Sequence, residues 1–142
     1  MISAAELRQR LREAGRRVTP QRDLIFRLLE ETQADHPSAE MLHLRAARQM
    51  PSISLRTVYA VLAELQELAV VRPLDLGTGS TRFCTNVRNH HHLVCERCGR
   101  VKDVFMELAS LEVPEEQRSG FLVKEQSVVF RGLCAGCRGA GA

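Results

Sequence analysis

Residues 84–98, with the sequence CTNVRNHHHLVCERC, contain three of the five cysteines and three of the five histidines of the chain. Cys95 and Cys98 form a Cys-x-x-Cys pair, and a second pair, Cys134 and Cys137, lies near the C-terminus. Each pair can direct two thiolates at one metal ion, and four thiolates complete a closed tetrahedral site. The cysteines therefore predict a structural zinc site, with a redox pair or unrelated buried thiols as the alternatives.

The histidine run predicts a second site with different ligands. If residues 90–92 are extended, their side chains alternate, so His90 and His92 face one side and His91 faces the other. Cys84, a few residues upstream, adds a thiol to this pair of imidazoles. Such a set suits an exchangeable ion, although a solvated loop would also explain the histidines and a buried strand position would explain Cys84.

Length and cysteine content narrow the class of protein. A chain of 142 residues forms one compact domain or two small ones, and a small domain needs a staple such as a metal ion or a dimer partner. The sequence has no run of about 18 apolar residues and begins with no signal peptide, so we expect a cytoplasmic protein. In a reducing compartment, Cys-x-x-Cys pairs are better explained as metal ligands than as disulfides.

Basic residues are concentrated near the N-terminus. The net charge is only +3, but seven arginines precede residue 28: Arg8, Arg10, Arg12, Arg16, Arg17, Arg22 and Arg27. Eighteen of the twenty basic residues are arginine, which suits bidentate contacts with phosphate and guanine. A GC-rich genome would produce the same bias without a functional reason.

Four N-cap signals predict four helices in the first half of the chain. They are the capping box of Ser3 and Glu6 for a helix over 4–14, Thr19 with Pro20 for one that reaches Glu31, Ser38 for one that reaches Gln49, and Ser54 for the fourth.

The fourth helix predicts a nucleic-acid partner. Its core face is formed by apolar residues at helical spacing, Val58, Leu62 and Leu65. Arg56, Thr57 and Tyr59 then project from the first turn and a half, where recognition helices reach base edges. Strands over 70–76 and 80–85 follow, joined by a glycine-containing turn. This order predicts a winged helix with one extra helix in front; the alternative is a small helical bundle with a hairpin and no DNA partner.

The composition changes after Thr85, and we place the domain boundary there. The expected parts are a winged-helix DNA-binding domain over 1–85 and a small α/β dimerisation and metal-binding domain over 86–142, which together make an α+β protein. Valine and phenylalanine predict strands over 93–95, 101–105 and 121–131, with a short helix over 107–111. Because a small sheet with exposed edges tends to pair with a second copy, we expect a homodimer.

The chain resembles the Fur superfamily of metal-dependent transcriptional regulators from about residue 11 to 137. The resemblance rests on VTPQR at 18–22, HPSAE at 36–40, ISLRTVY at 53–59, HHHLVCERCG at 90–99 and the C-terminal Cys-x-x-Cys pair. It implies an N-terminal winged helix, a C-terminal α/β dimerisation domain, and a metal-loaded homodimer that represses transcription at a palindromic operator.

The resemblance also assigns metal ligands by position. Structural zinc falls to Cys95, Cys98, Cys134 and Cys137, and a regulatory ion falls to His36, Cys84, His90, His92 and Asp103. Members with a further site take a histidine from the late strand, where this chain has Gln126, so we expect no complete third site. Whether His91 or Glu107 takes part in such a site stays open.

DNA contacts are implied in the same way. Tyr59 matches a position that touches bases, and Arg17 matches a basic residue near the minor groove. Many members carry arginine directly after this tyrosine, whereas the chain has Ala60. We therefore expect Arg56, with Thr57 beside it, to be the reader of guanine.

The ligand set bears on the identity of the regulatory metal. Zinc is favoured because a thiolate beside two imidazoles suits a soft, tetrahedral ion. Asp103 and His36 would raise the ligand count to five and resemble the peroxide-sensing branch, so manganese, ferrous iron and a peroxide signal stay open. A zinc-dependent hydrolytic enzyme is the alternative of another class, but the chain lacks H-E-x-x-H and the H-x-E of zinc deaminases, and we expect no enzyme.

Overall fold

The chain divides into two compact units, Met1–Val87 and Arg88–Ala142. The computed structural model describes residues 1–107 and 111–139. Helices come first in the first unit and a two-stranded sheet follows: α1 Ala4–Glu13, α2 Pro20–Thr32, a 3-10 turn Gln33–Asp35, α3 Ala39–Gln49, α4 Leu55–Glu67, β1 Arg72–Leu74 and β2 Arg82–Cys84. This order confirms the predicted winged helix with an extra helix in front.

Each of the four predicted caps begins its helix. The Ser3 hydroxyl accepts the N–H of Glu6, and the Glu6 carboxylate accepts the N–H of Ser3 in return. The hydroxyls of Thr19, Ser38 and Ser54 each accept the N–H three residues ahead. Each such bond satisfies a donor that the helix itself leaves unused and stabilises the helix by about 1 kcal/mol.

Helix α2 is the centre of the first unit and packs against α1, α3 and α4. The core contains buried apolar side chains from all four helices, among them Leu7, Leu11, Ile25, Phe26, Leu29, Leu42, Val58, Leu62 and Leu65. Because α4 buries Val58, Leu62 and Leu65, the opposite side of its first turns faces outward, as the sequence predicts.

The wing is shorter than its sequence pattern. Strands β1 and β2 pair antiparallel, with Pro73 opposite Phe83. Pro73 has no N–H to donate, so β1 lacks one of the backbone hydrogen-bond donors that would pair a longer strand with β2. Gly77 and Gly79 in the connecting turn have φ angles of 72° and 91°, a backbone region that favours glycine.

A three-stranded sheet forms most of the second unit. Its elements are β3 His91–Cys95, β4 Val101–Val104, α5 Glu115–Arg118, β5 Val129–Gly132 and α6 Ala135–Gly139. β3 lies in the middle, antiparallel to β4 and parallel to β5. The turn after β3 and the segment after β5 therefore leave the sheet at the same end.

Two details differ from the sequence prediction. The strand expected over 121–131 is present only as β5, because no strand of the described residues pairs with 121–127 and β-propensity is realised only on a sheet surface. Helices α5 and α6 were not predicted. The helix expected over 107–111 falls mainly on residues 108–110, outside the described residues. No described helix has both the length and the apolar character needed to cross a membrane.

Candidate metal centres and nucleic-acid interface

The four paired cysteines converge at one end of the second sheet. Cys95 ends β3 and Cys98 lies in the following turn, whereas Cys134 follows β5 and Cys137 lies in α6. All four sulfur atoms lie within 4.8 Å of one another, and the Sγ atoms of Cys98 and Cys134 are 3.7 Å apart. Zinc–sulfur bonds of about 2.3 Å place tetrahedral sulfurs about 3.8 Å apart, so the donors fit a zinc ion.

The local backbone makes the first thiol easy to ionise. The backbone N–H of Cys98 donates to the Cys95 sulfur and lowers the pKa of Cys95 to about 6. In the second pair, the backbone N–H of Cys137 lowers the pKa of Cys134. The hydrogen bond with Cys134 raises the pKa of Cys137 to about 12. Four thiolates therefore do not coexist at neutral pH unless a cation compensates their charge, as a metal ion does.

A second donor group in this unit is formed by His90, His92 and Asp103. One Asp103 oxygen, Oδ1, lies 2.9 Å from Nε2 of His90 and 3.3 Å from Nε2 of His92. The two imidazole ring centres are 4.6 Å apart. The pairing of β3 with β4 sets His92 directly opposite Asp103. Three donors thus converge on a volume that a single ion can occupy.

Hydrogen bonding fixes the orientation of the His90 ring. Its Nδ1 lies 2.6 Å from the carbonyl oxygen of Arg88, and because a carbonyl only accepts, Nδ1 is the donor. In the neutral tautomer Nε2 then carries the lone pair, and it points toward the Asp103 carboxylate. Two lone pairs at that distance repel unless a cation or a proton lies between them. A backbone carbonyl on the distal nitrogen is a common support for metal-binding histidines.

His36 and Cys84 form a pair in the first unit. A ring nitrogen of His36 and the Cys84 sulfur lie within 4.8 Å of each other, and both residues are buried. His36 directly follows the 3-10 turn before α3, and Cys84 ends β2. Neighbouring backbone links the two segments, because the N–H of Phe83 donates to the carbonyl of Pro37 at 2.9 Å.

His91 lies apart from both donor groups, as strand alternation predicts. Its Nδ1 accepts the N–H of Val128 at 2.9 Å, so this histidine links β3 to the chain entering β5. Glu107 is exposed, and among residues 1–107 and 111–139 neither residue belongs to a group of converging metal donors.

The predicted base-reading residues begin α4. Arg56 is exposed, Thr57 is half-buried, and Tyr59 is 44% exposed. The Tyr59 hydroxyl donates to Glu40 at the start of α3, with an oxygen–oxygen distance of 2.5 Å. This bond raises the pKa of Tyr59 and lowers the pKa of Glu40. The sequence analysis missed Glu40, because its pairing depends on how α3 and α4 pack.

Several N-terminal arginines form ion pairs with acidic residues of the first unit. Arg16 and Arg22 both bind Glu64 of α4, at 3.0 Å and 2.9 Å, and Arg22 also donates to the carbonyl of Arg17 at 2.7 Å. Arg8 and Arg27 pair with Asp23. Arg17 is exposed in the loop between α1 and α2. The bonds of Arg16 and Arg22 hold that loop against α4. The sequence analysis missed Glu64 as well.

The fold combines a winged helix with a small sheet unit. Its side chains form one cluster of four thiols and further groups of imidazole, carboxylate and thiol donors. These features define the class of metal-binding winged-helix proteins. The model of the Ferric uptake regulator family matches residues 13–131. Over 132 residues the chain is 33% identical to the peroxide-responsive repressor PerR of Staphylococcus epidermidis. This alignment covers 92% of this chain and 87% of the relative. The chain belongs to the Ferric uptake regulator family, which confirms the resemblance seen in the sequence.

Solved structures share the fold. Superposition on the ferric uptake regulator of Vibrio cholerae gives a TM-score of 0.66 with 28% sequence identity. The match covers 90% of this chain and 99% of the regulator's chain. Superposition on a zinc uptake regulator complexed with zinc and DNA gives a TM-score of 0.64 with 26% sequence identity. The match covers 95% of this chain and 92% of the regulator's chain.

We predict that Cys134→Ser releases tightly bound zinc and unfolds or monomerises the protein, because metal-binding energy is folding energy in so small a unit. Zinc content by elemental analysis and molecular mass by light scattering measure the two effects. Cys84→Ser is the matched control and should keep the tightly bound ion. A folded dimer of Cys134→Ser with parental zinc content would contradict the assignment.

Proposed function

We propose that this protein is a metal-responsive transcriptional repressor that binds a palindromic operator as a metal-loaded homodimer in the cytoplasm. The observation that carries the proposal is the chemical difference between its donor groups. The cluster of four thiols is closed and suits a permanent zinc ion, whereas the imidazole, carboxylate and thiol donors suit an ion that exchanges.

We assign the exchanging ion to His36, Cys84, His90, His92 and Asp103. The first unit contributes two of these donors and the second contributes three. Since zinc in proteins usually takes four ligands, neither unit supplies a complete set. An ion with ligands from both would couple its own binding to the relative orientation of the units, and metal would then act as an effector by favouring the DNA-binding conformation.

Zinc is the regulatory ion that the ligand chemistry favours. The buried Cys84 adds a thiolate to two imidazoles, a set that prefers zinc to the harder manganese or ferrous ions. The peroxide-responsive relative and the Asp103 carboxylate support the second candidate, a regulator that answers to manganese, iron or peroxide. The two candidates differ in the signal and share the DNA-binding mechanism.

The DNA-binding assignment rests on the outer face of α4 and on the loop before α2. Arg56, Thr57 and Tyr59 would enter the major groove, and Arg17 would reach a minor groove. Arginine reads guanine through a bidentate pair of hydrogen bonds, for which the exposed Arg56 has the needed freedom. The zinc uptake regulator of similar fold, complexed with zinc and DNA, supports this assignment.

Apolar side chains of the second unit support a homodimer. Phe105, Phe121 and Leu122 are 66%, 74% and 82% exposed, and the outer strands β4 and β5 leave sheet edges available. Exposed apolar surface and sheet edges of this kind are typical of an interface with another chain. A two-fold symmetric dimer would match a palindromic operator.

A hydrolytic zinc enzyme is the alternative from another class. Catalytic zinc keeps one coordination position open for water, whereas the thiol cluster supplies all four ligands. The five-donor assignment likewise exceeds the three protein ligands that a catalytic zinc ion takes. The proposed function is therefore regulation without catalysis.

We predict that Arg56→Ala costs about 1–3 kcal/mol of discrimination at one base pair of each operator half-site. Binding to an operator library with single-base changes measures this loss. Arg12→Ala removes an exposed arginine of α1 and should leave base preference unchanged. An equal loss on every sequence would make Arg56 a phosphate contact instead.

The metal assignment predicts that zinc restores operator binding to protein that carries only its structural ion. Cys84→Ser should weaken this response by about 10–100-fold, as expected for damage to a metal site, whereas His43→Gln should respond like the parent because His43 is outside both donor groups. Operator binding during separate titrations with zinc, manganese and ferrous iron measures the effect. If Cys84→Ser responds normally to zinc, while manganese or iron activates the parent and peroxide with iron inactivates it, the second candidate replaces the first.

A further inference from the structure

The segment before α3 has an unusual backbone at a proposed metal ligand. His36 has φ 51° and ψ 71°, in the left-handed region that residues with a side chain rarely adopt. It also precedes Pro37, and a following proline further restricts the backbone of the preceding residue. Since His36 is buried, surrounding contacts must hold it in this conformation.

Strand β2 supplies those contacts. Nη1 of Arg82 donates to the carbonyl of His36 at 3.0 Å and lies 3.4 Å from the carbonyl of Asp35. Arg82 also forms an antiparallel bridge with Ser38, and the N–H of Phe83 donates to Pro37. The guanidinium thus binds the main chain on the N-terminal side of Pro37, while the strand binds it on the other side.

The same strand positions the second ligand. Cys84 lies between Phe83, which binds the carbonyl of Pro37, and Thr85, whose hydroxyl donates to Gln33 at 2.5 Å. Contacts on both sides of Cys84 therefore tie it to the segment that carries His36. This arrangement accounts for the short separation between the His36 nitrogen and the Cys84 sulfur.

We propose that Arg82 is a positioning residue that preorganises His36 and Cys84 for the regulatory ion. This inference rests on the proposed assignment of both residues as ligands. Arg82 holds the ligand backbone through a carbonyl and touches no ion itself. Without the guanidinium, His36 relaxes toward ordinary backbone angles, and part of the binding energy is then spent on restoring the ligand geometry.

The arrangement also gives the ion a direct connection to the DNA-binding elements. β2 is one strand of the wing, and Ser38, two residues after His36, caps α3. An ion bound by His36 and Cys84 therefore restrains the wing relative to the start of α3. Arg82 makes this connection rigid, because it holds the two segments together before metal binds.

The test compares Arg82→Ala and Arg82→Lys with Arg12→Ala, which removes an exposed arginine elsewhere. Two quantities are measured: the affinity for the second zinc equivalent, by competition with a chelator, and amide hydrogen exchange at Phe83 in protein holding only structural zinc. Arg82→Ala should bind the second ion about 10–100-fold more weakly and exchange faster at Phe83. Arg82→Lys should fall between, because an ammonium donates without the planar fork. Arg12→Ala should match the parent.

Parental affinity for the second ion in Arg82→Ala would overturn the inference. If the helices of the first unit do not form in Arg82→Ala, as judged by lost helical circular dichroism, Arg82→Lys decides in the same way. Two further variants separate this failure from that of the proposed function. If His36→Ala and Cys84→Ser bind the second zinc ion like the parent, the ligand assignment itself is wrong.

Discussion

The convergence of four cysteine sulfurs is the constraint on which the second unit depends. In its described residues, the buried apolar side chains are Val94, Cys95 and Val101, whereas the core cluster of the first unit contains nineteen. A three-stranded sheet with so little buried surface gains too little hydrophobic stabilisation to fold securely alone. The thiol cluster binds the turn after β3 to the segment after β5, so one ion can hold together the adjacent C-terminal ends of these two parallel strands.

The same sheet orients the donors of the other metal group. β3 ends at Cys95 but begins with His91 and His92, and His92 pairs with Asp103 on β4. A structural ion that fixes one end of β3 therefore also fixes the register at its other end. Under the proposed assignment, this separation would let one short strand supply ligands to a permanent ion and to an exchanging ion without competition.

Local sequence signals predicted the helices of the first unit and the shared face of His90 and His92, whereas His36 and Asp103 were assigned through the family resemblance. The caps at Ser3, Thr19, Ser38 and Ser54 predicted the four helices because a cap acts within one turn of its own chain. Alternation along an extended strand separated His91 from its two neighbours for the same reason. Glu64 and Glu40 escaped prediction since their partners, Arg22 and Tyr59, meet them only when helices pack. The overlong strand prediction at 121–127 failed because strand residues need a neighbouring strand.

The proposed function requires one chain to hold two chemically different metal centres. X-ray absorption at the zinc edge tests it directly, with protein loaded first with one and then with two zinc equivalents per chain. We expect the first ion to show four sulfur neighbours at about 2.3 Å and the second to add nitrogen and oxygen neighbours with one sulfur. A second ion surrounded by nitrogen and oxygen alone, or no specific second ion, would contradict the claim.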